Sequence, residues 1–314
     1  MPPLSEMSQL ARRRALPPGG ATESRTMRDG WRLRSMVWPA ASPETRGSIL
    51  FIGGRGDFIE KYAESYWHWH DRGFGLAVFD WRGQGRSGRL GDTPEKGHST
   101  GFDVLVADLG EQVAWFRERL PPPYFAISHS MGGHLLLRHL SANPGSIDRA
   151  VLLAPLFGLV AAPVGPWLAR IIAGMQVARG KSGDYAPGAG PAQASNAMRA
   201  RRLSSDPERV TDEAYWIERD PGLRIGGVTN GWVAAAFASL DTLTAPGILE
   251  AVTTPLLILT AAHDRLVDSA AAARLAKRLP HARVEVIAGA AHELLREADT
   301  IREPVLARID EFLA

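Results

Sequence analysis

Short, almost wholly apolar runs alternate with stretches of helical periodicity along most of the chain. Ser48–Ile52 and Gly75–Phe79 read as buried strands, and Phe58–Asp71 between them as a helix with aromatics at Phe58, Tyr62, Tyr66 and Trp69. In Gly101–Leu120 the positions Phe102, Leu105, Val106, Leu109, Val113, Phe116 and Leu120 recur at helical spacing. A strand at Tyr124–Ile127 runs almost directly into a helix at Met131–Leu140, and Ala150–Ala154 is another strand. The alternation then lapses for about 90 residues. It resumes with strand Leu256–Thr260, helix Ala270–Leu279, strand Val284–Ala288 and a closing helix in which Val305, Ile309 and Phe312 share a face.

Near-continuous apolar strands need cover on both faces, and helices between them supply it. The pattern predicts an α/β fold with a mostly parallel central sheet flanked by helices. Residues 26–154 and 246–314 form its core, and 155–245 a mostly helical insertion with a Gly/Pro/Ala/Ser-rich middle at 180–200. Residues 1–25 lack a docking pattern and are expected to be a flexible arm. There is no internal repeat.

Ala150–Ala169 is 20 residues without a charge, long enough to span a bilayer. Pro155, Pro163 and Pro166 break any continuous helix there, so a strand followed by an apolar surface element is the expectation. Near the N-terminus, Arg12–Arg14 are not followed by an apolar stretch, which argues against a secretory signal and for a cytoplasmic protein.

Composition narrows the chemistry. The chain has 314 residues, 45% hydrophobic and 22% charged, as in ordinary globular proteins. It has no cysteine, which excludes disulfides, zinc ribbons, iron–sulfur clusters and thiol nucleophiles. Thirty-six Lys and Arg oppose 34 Asp and Glu, so the net charge of +2 gives little field to steer nucleic acid, and no nucleic-acid partner is expected.

Tyr124–Gly133 reads as strand, sharp turn and helix start, with Ser128-His129-Ser130-Met131-Gly132 nearly matching G-x-S-x-G. In that motif the central serine stands on a strained turn at the sheet edge, and small neighbours let strand and helix approach. The helix start places the backbone N–H of Met131 beside the Ser130 hydroxyl. A serine nucleophile needs a base, and the base an orienting carboxylate. Parallel strands end on one edge, so partners must follow strands. Asp264 follows Leu256–Thr260 and His292 follows Val284–Ala288. His281 precedes its strand, His129 adjoins the serine, and His134 and His139 lie inside the following helix. Asp268 reads instead as a helix cap.

With these residues in view, the chain resembles the bacterial lysophospholipase and monoacylglycerol lipase branch of the α/β-hydrolase superfamily. Gly53–Tyr62 lines up on that family's H-G-x-G-E…Y oxyanion block and Asp80–Gly88 on its D-x-R-G-x-G-x-S loop. Ser128–Gly133 lines up on the S-M-G-G elbow, and Asp264 and His292-Glu293 on the acid and base. The resemblance runs from about residue 25 to the end and is weakest in the insertion, which in this family is a cap. It departs in two places, since Gly53 replaces the leading His and Ser128 the first elbow Gly. It implies an oxyanion hole from the backbone N–H groups of Arg55 and Met131. It also implies a cofactor-free esterase acting on a monoacyl lipid, a lysophospholipid or monoacylglycerol. A cytoplasmic protein, with peripheral contact at the inner face of the membrane, is the expectation. The apolar run Leu156–Ile172, with Arg170 its one charge, then packs the cap onto the core, lines an acyl channel or touches a bilayer.

Other readings are weaker. Gly83–Gly88 is a literal G-x-G-x-x-G, but a polar loop follows where a nucleotide site needs a helix. Gly174–Ser182 has five residues between its glycines rather than the four of a P-loop. His68 and His70 are two apart on a helix and diverge, which does not favour a metal. A proline iminopeptidase-like peptidase shares the same core but carries H-G-G-P-G where this chain has Gly53–Asp57. A non-catalytic binding protein of the same fold usually lacks a triad member.

Overall fold

The computed structural model describes residues 8–41, 44–192 and 202–314. In chain order the elements are α1 (Gln9–Arg13), β1 (Ala21–Thr26), β2 (Arg32–Trp38), β3 (Ser48–Ile52), α2 (Ala63–His70), β4 (Gly75–Phe79), α3 (Asp103–Arg119) and β5 (Tyr124–His129). They continue with α4 (Met131–Ala142), β6 (Arg149–Leu153), α5 (Pro166–Ala178), α6 (Pro207–Arg219), α7 (Asn230–Thr244), β7 (Leu256–Ala261), α8 (Ser269–Ala276), β8 (Ala282–Ile287) and α9 (Asp299–Leu313).

One eight-stranded sheet has the order β1-β2-β4-β3-β5-β6-β7-β8. β1 and β2 are antiparallel to their neighbours, and β4 through β8 are parallel. Period-two alternation sends each strand's side chains to opposite faces. Leu50, Ile52, Ala126, Leu152 and Ile258 join one core with residues of α3, α4, α7 and α8. Ile49, Phe51, Phe125, Ile127, Val151 and Leu257 join the other with α2 and α9. Burying each large apolar side chain contributes about 1.5–3 kcal/mol, so both faces hold the sheet firmly. From β3 the chain crosses to β4 on one side and then returns to β5 on the other. That reversal opens a crevice at the carboxyl ends of β3 and β5, where open α/β sheets place their sites.

The expected arm is instead ordered from residue 8 onward, while residues 1–7 lie outside the described residues. Trp38 Nε1 donates to Pro17 O at 2.8 Å, and Trp67 Nε1 to Ala15 O at 2.7 Å. Arg12 pairs with Asp71 and Arg13 with Asp212. The docking comes from core tryptophans and distant carboxylates, which no local pattern reveals. β1 and β2 form a hairpin that the apolar-run reading overlooks, because β1 is a polar edge strand. The Asp29-Gly30 turn and the alternation of Leu33, Ser35 and Val37 were its available signals. The helix expected over 58–71 begins as a 3₁₀ turn, Ile59–Tyr62, before α2. The last strand starts two residues early, at Ala282, as an edge strand with Val286 65% exposed.

Between β6 and β7 the chain carries α5, α6 and α7. Part of the small-residue middle expected at 180–200 lies outside the described residues, since 193–201 are not described. No helix among the described residues is long and apolar enough to cross a membrane. In Ala150–Ala169 the strand β6 gives way to turns, and α5 starts only at Pro166.

Candidate active site

Ser130 follows β5 with φ 51° and ψ −115°, a conformation that a non-glycine residue adopts at a cost of order 1–3 kcal/mol. The surroundings hold it there. Ser130 N–H donates to Leu153 O at 2.9 Å, and Ser130 O accepts the amides of Gly133 and Leu156 at 3.0 Å each. A Cβ on Gly132 would lie 2.5 Å from Gly53 O and 2.6 Å from Ile52 O, so only glycine lets α4 approach β3 here. Ser128, the departure from the usual elbow glycine, fits because its hydroxyl donates to Val151 O at 3.2 Å and faces Gly133, which has no Cβ.

The loops after β7 and β8 bring the other two residues over. His292 Nε2 lies 3.0 Å from Ser130 Oγ, and His292 Nδ1 lies 2.7 Å from Asp264 Oδ2. Asp264 Oδ1 accepts the amides of Leu266 and Val267 at 2.8 and 3.0 Å. Burial pushes this carboxyl up, but His292 and the two amides outweigh it and hold the group below its usual value. Asp264 therefore stays an acceptor, which favours the tautomer with the proton on Nδ1 and leaves Nε2 to accept from Ser130. Asp268 instead caps α8, accepting Ala270 N–H at 3.0 Å. His263 and His281 are exposed. His134 is wholly buried, with Nδ1 3.1 Å from Leu156 O and Nε2 2.6 Å from Ser239 Oγ.

The loop after β3 faces Ser130. Gly54 packs so close that a Cβ there would lie 3.0 Å from Ser130 Cβ and 2.9 Å from His129 Nδ1. Its N–H donates to Asp57 Oδ2 at 2.6 Å, and the N–H of Gly56 donates to Gln84 Oε1. The two amides flanking Arg55 are thus held by side chains. Asp80, buried at the end of β4, accepts Ile59 N–H at 2.9 Å and Arg86 N–H at 2.8 Å, and pairs with Arg34. A Cβ on Gly85 would lie 2.2 Å from that carboxylate. The Gly83–Gly88 run is accordingly a scaffold for the β3 loop. His68 and His70 point to different partners, Asp310 and Pro39 O.

Behind the loop lies a buried charge cluster that the sequence reading did not single out. Lys61 Nζ donates to Asp57 Oδ1 at 2.7 Å and to Glu293 Oε1 at 2.6 Å. Asp57 Oδ2 also meets His129 Nδ1 at 2.9 Å, and the His129 ring lies tilted with its centre 4.8 Å from that of the His292 ring. Burial raises the Glu293 carboxyl, but Lys61 and Arg296 outweigh it and bring it down to about 2. Burial likewise works against the Asp57 carboxylate, which Lys61 and His129 hold well below its usual range.

Residues 43–299 match the Hydrolase_4 family, described as serine aminopeptidase, S33. The chain belongs to this family. Lysophospholipase L2 of Escherichia coli is 33% identical over 275 residues, which cover 84% of this chain and 79% of that protein. Probable lysophospholipase L2 of Haemophilus influenzae is 27% identical, over 89% of this chain and 87% of that protein. Among solved structures, a soluble variant of monoglyceride lipase from Saccharomyces cerevisiae has a TM-score of 0.73 at 18% identity, covering 95% of each chain. Paleococcus ferrophilus monoacylglycerol lipase has a TM-score of 0.67 at 20% identity, covering 90% of this chain and 98% of that one. These likenesses establish the α/β-hydrolase fold, and the resemblance drawn from the four sequence blocks holds.

The insertion contacts the loops after β3, β4 and β8 and helix α4. Arg55 donates from its guanidinium to Gly226 O, and Gly56 faces Ile225. Gly97 and Val228 form a parallel bridge. Ser239 of α7 meets His134 of α4, and Glu293 N–H donates to Leu203 O at 2.7 Å. Of the apolar run, Leu156 and Phe157 are buried. Trp167 is 74% exposed, and Leu168, Ile171 and Met175 are exposed beside it on α5. Packing onto the core therefore describes the start of the run and not its end.

Proposed function

We propose that the chain is a serine hydrolase of carboxylic esters in which Ser130 is the nucleophile, His292 the general base and Asp264 the orienting acid. The observation that carries this is the chain of contacts from Ser130 Oγ to His292 Nε2 at 3.0 Å and from His292 Nδ1 to Asp264 at 2.7 Å. Ser130 Oγ attacks the acyl carbonyl while its proton passes to His292 Nε2. The tetrahedral intermediate collapses, His292 protonates the leaving alkoxide, and an acyl-Ser130 ester remains. Water, deprotonated by the same nitrogen, attacks that ester; the acid is released and the serine regains its proton.

The oxyanion would be met by the backbone N–H groups of Met131 and Arg55. Gly54 is the less suitable neighbour because its N–H is given to Asp57. Each such donor typically stabilises the transition state by about 3 kcal/mol.

Monoacyl lipids are the proposed substrates, because both curated relatives described above are named lysophospholipases. Residues 155–245 are the proposed cap of a core formed by 26–154 and 246–314. Its exposed α5 face, with Trp167, Leu168, Ile171 and Met175, suits peripheral contact with a bilayer in which such lipids reside. The family description supports a second reading, an aminopeptidase.

Purified protein should be offered lysophospholipids, monoacylglycerols and aminoacyl or prolyl amides, with Ser130→Ala as control. Hydrolysis of the monoacyl esters, lost in Ser130→Ala, supports the proposal. Turnover of the amides alone would move the function to the second reading.

A further inference from the structure

Glu297 lies five residues beyond His292 and is fully buried. Its two carboxylate oxygens serve different parts of the molecule. Oε1 accepts the N–H of Ala291, the residue before His292, at 2.5 Å. Oε2 accepts the N–H of Ser205 at 2.8 Å and also the Ser205 hydroxyl. Ser205 belongs to the insertion, just ahead of α6. The neighbouring contacts run the same way. Ser204 Oγ donates to Arg296 O at 2.6 Å, and Arg209 of α6 donates to Glu297 O at 3.0 Å.

From this geometry we infer that Glu297 is a positioning residue for His292, bridging the loop that carries the base to the Ser204–Ser205 turn of the insertion. The inference rests on the triad reading above. The β8–α9 loop turns at Gly289, whose φ is +75°, and carries His292 in irregular backbone, so no helix or sheet ladder fixes the imidazole. The tether fixes the Ala290–Ala291 peptide plane, one residue before His292, and so anchors the turn from which the imidazole projects. Displacement of a catalytic group by about 1 Å typically costs on the order of 100-fold in rate, so a loosened tether should be visible in turnover.

Glu297→Gln keeps the size but replaces one acceptor oxygen with an NH₂ group. That group must face either the Ala291 N–H or the Ser205 N–H, and donor opposes donor there even if the Ser205 hydroxyl turns to accept. With turnover normalised to sites titrated by a fluorophosphonate, we expect kcat to fall roughly 10- to 100-fold. KM should stay within about threefold, since substrate binding does not use the tether. The acid limb of the pH–kcat/KM profile should shift, and the far-downfield proton resonance of His292 Nδ1–H should move or broaden. Ser205→Ala, which keeps the amide and loses the hydroxyl, should show a smaller loss in the same direction.

A merely structural Glu297 would lower Tm while leaving kcat per titrated site, the pH limb and the resonance unchanged, and that result overturns the inference. If Glu297→Gln does not fold, Ser205→Ala and Glu297→Asp carry the same readouts. Wild-type protein that fails to label at Ser130 would refute the triad reading itself. The His292 resonance, compared between wild type and variant, still decides the tether in that case.

Discussion

His292 Nε2 sits 3.0 Å from Ser130 Oγ although 162 residues separate the two in the chain. β6 and β7 stand between their strands in the sheet. The contact exists because the parallel strands all end on one edge and the loop after β8 reaches back across it. Asp264, from the loop after β7, meets the imidazole from its other side.

If this pair acts as one unit, its loss should not be additive. Ser130→Ala and His292→Ala should each abolish ester hydrolysis, and the double variant should be little worse than either single one. Steady-state rates on a chromogenic ester, with circular dichroism to confirm folding, check this. A folded Ser130→Ala that keeps more than about a thousandth of the rate would refute the assignment of the nucleophile.

The two aspartates after β7 should behave differently. Asp264→Asn disturbs the acceptor that holds His292 and should cost on the order of 10⁴-fold in kcat, by favouring the wrong tautomer. Asp268→Asn should be nearly neutral, because asparagine also accepts the Ala270 N–H as a helix cap. Equal losses, or the reverse order, in kcat/KM would shift the acid role away from Asp264.

Stability should fall in mild acid. Burial, with Arg138 nearby, lowers His134 to about 3, and burial lowers His139 to about 4, against about 6.5 in the unfolded chain. The unfolded state therefore binds more protons between these values. Stability from the two neutral histidines is complete above about pH 6.5 and is lost as the pH falls from there toward 4 and 3. The slope is at most about 1.4 kcal/mol per pH unit for each proton. Urea titrations at pH 7.5 and 5 should show this loss, and His139→Gln should flatten it.

Glycine positions separate the site from its surroundings. Gly54→Ala forces a methyl group to within 3.0 Å of Ser130 Cβ and should lower kcat tenfold or more in a folded protein. Gly174→Ala, in α5 with nothing within 4 Å of its Cβ, should instead stabilise the protein by about 0.5–1 kcal/mol at unchanged kcat. Thermal melts and turnover on one soluble ester test both.

Trp167→Ser removes the most exposed large apolar side chain of α5. Binding to phosphatidylglycerol-containing vesicles should weaken at least about tenfold, since burying such a side chain is worth about 1.5–3 kcal/mol. Hydrolysis of a short soluble ester should not change. Co-sedimentation that is equal for both proteins would show that α5 does not meet the bilayer.

The sequence alone determined the α/β class, the parallel strands from β3 to β8, and Ser130, Asp264 and His292 as candidates. Each of those signals is local, being an apolar run, a tight small-residue turn or a polar residue just past a strand. Tertiary structure decided the rest. Trp38, Trp67, Asp71 and Asp212 hold an N-terminal segment that has no pattern of its own, and β1 is a strand because β2 pairs with it. The charge cluster of Asp57, Lys61 and Glu293 is assembled from the β3 loop and the loop after β8. Glu297 was an unremarked polar residue until the fold placed the Ala291 amide on one of its oxygens and Ser205 on the other. Buried polar groups choose partners by distance in space, and a linear pattern carries that information only when the partners are near in sequence.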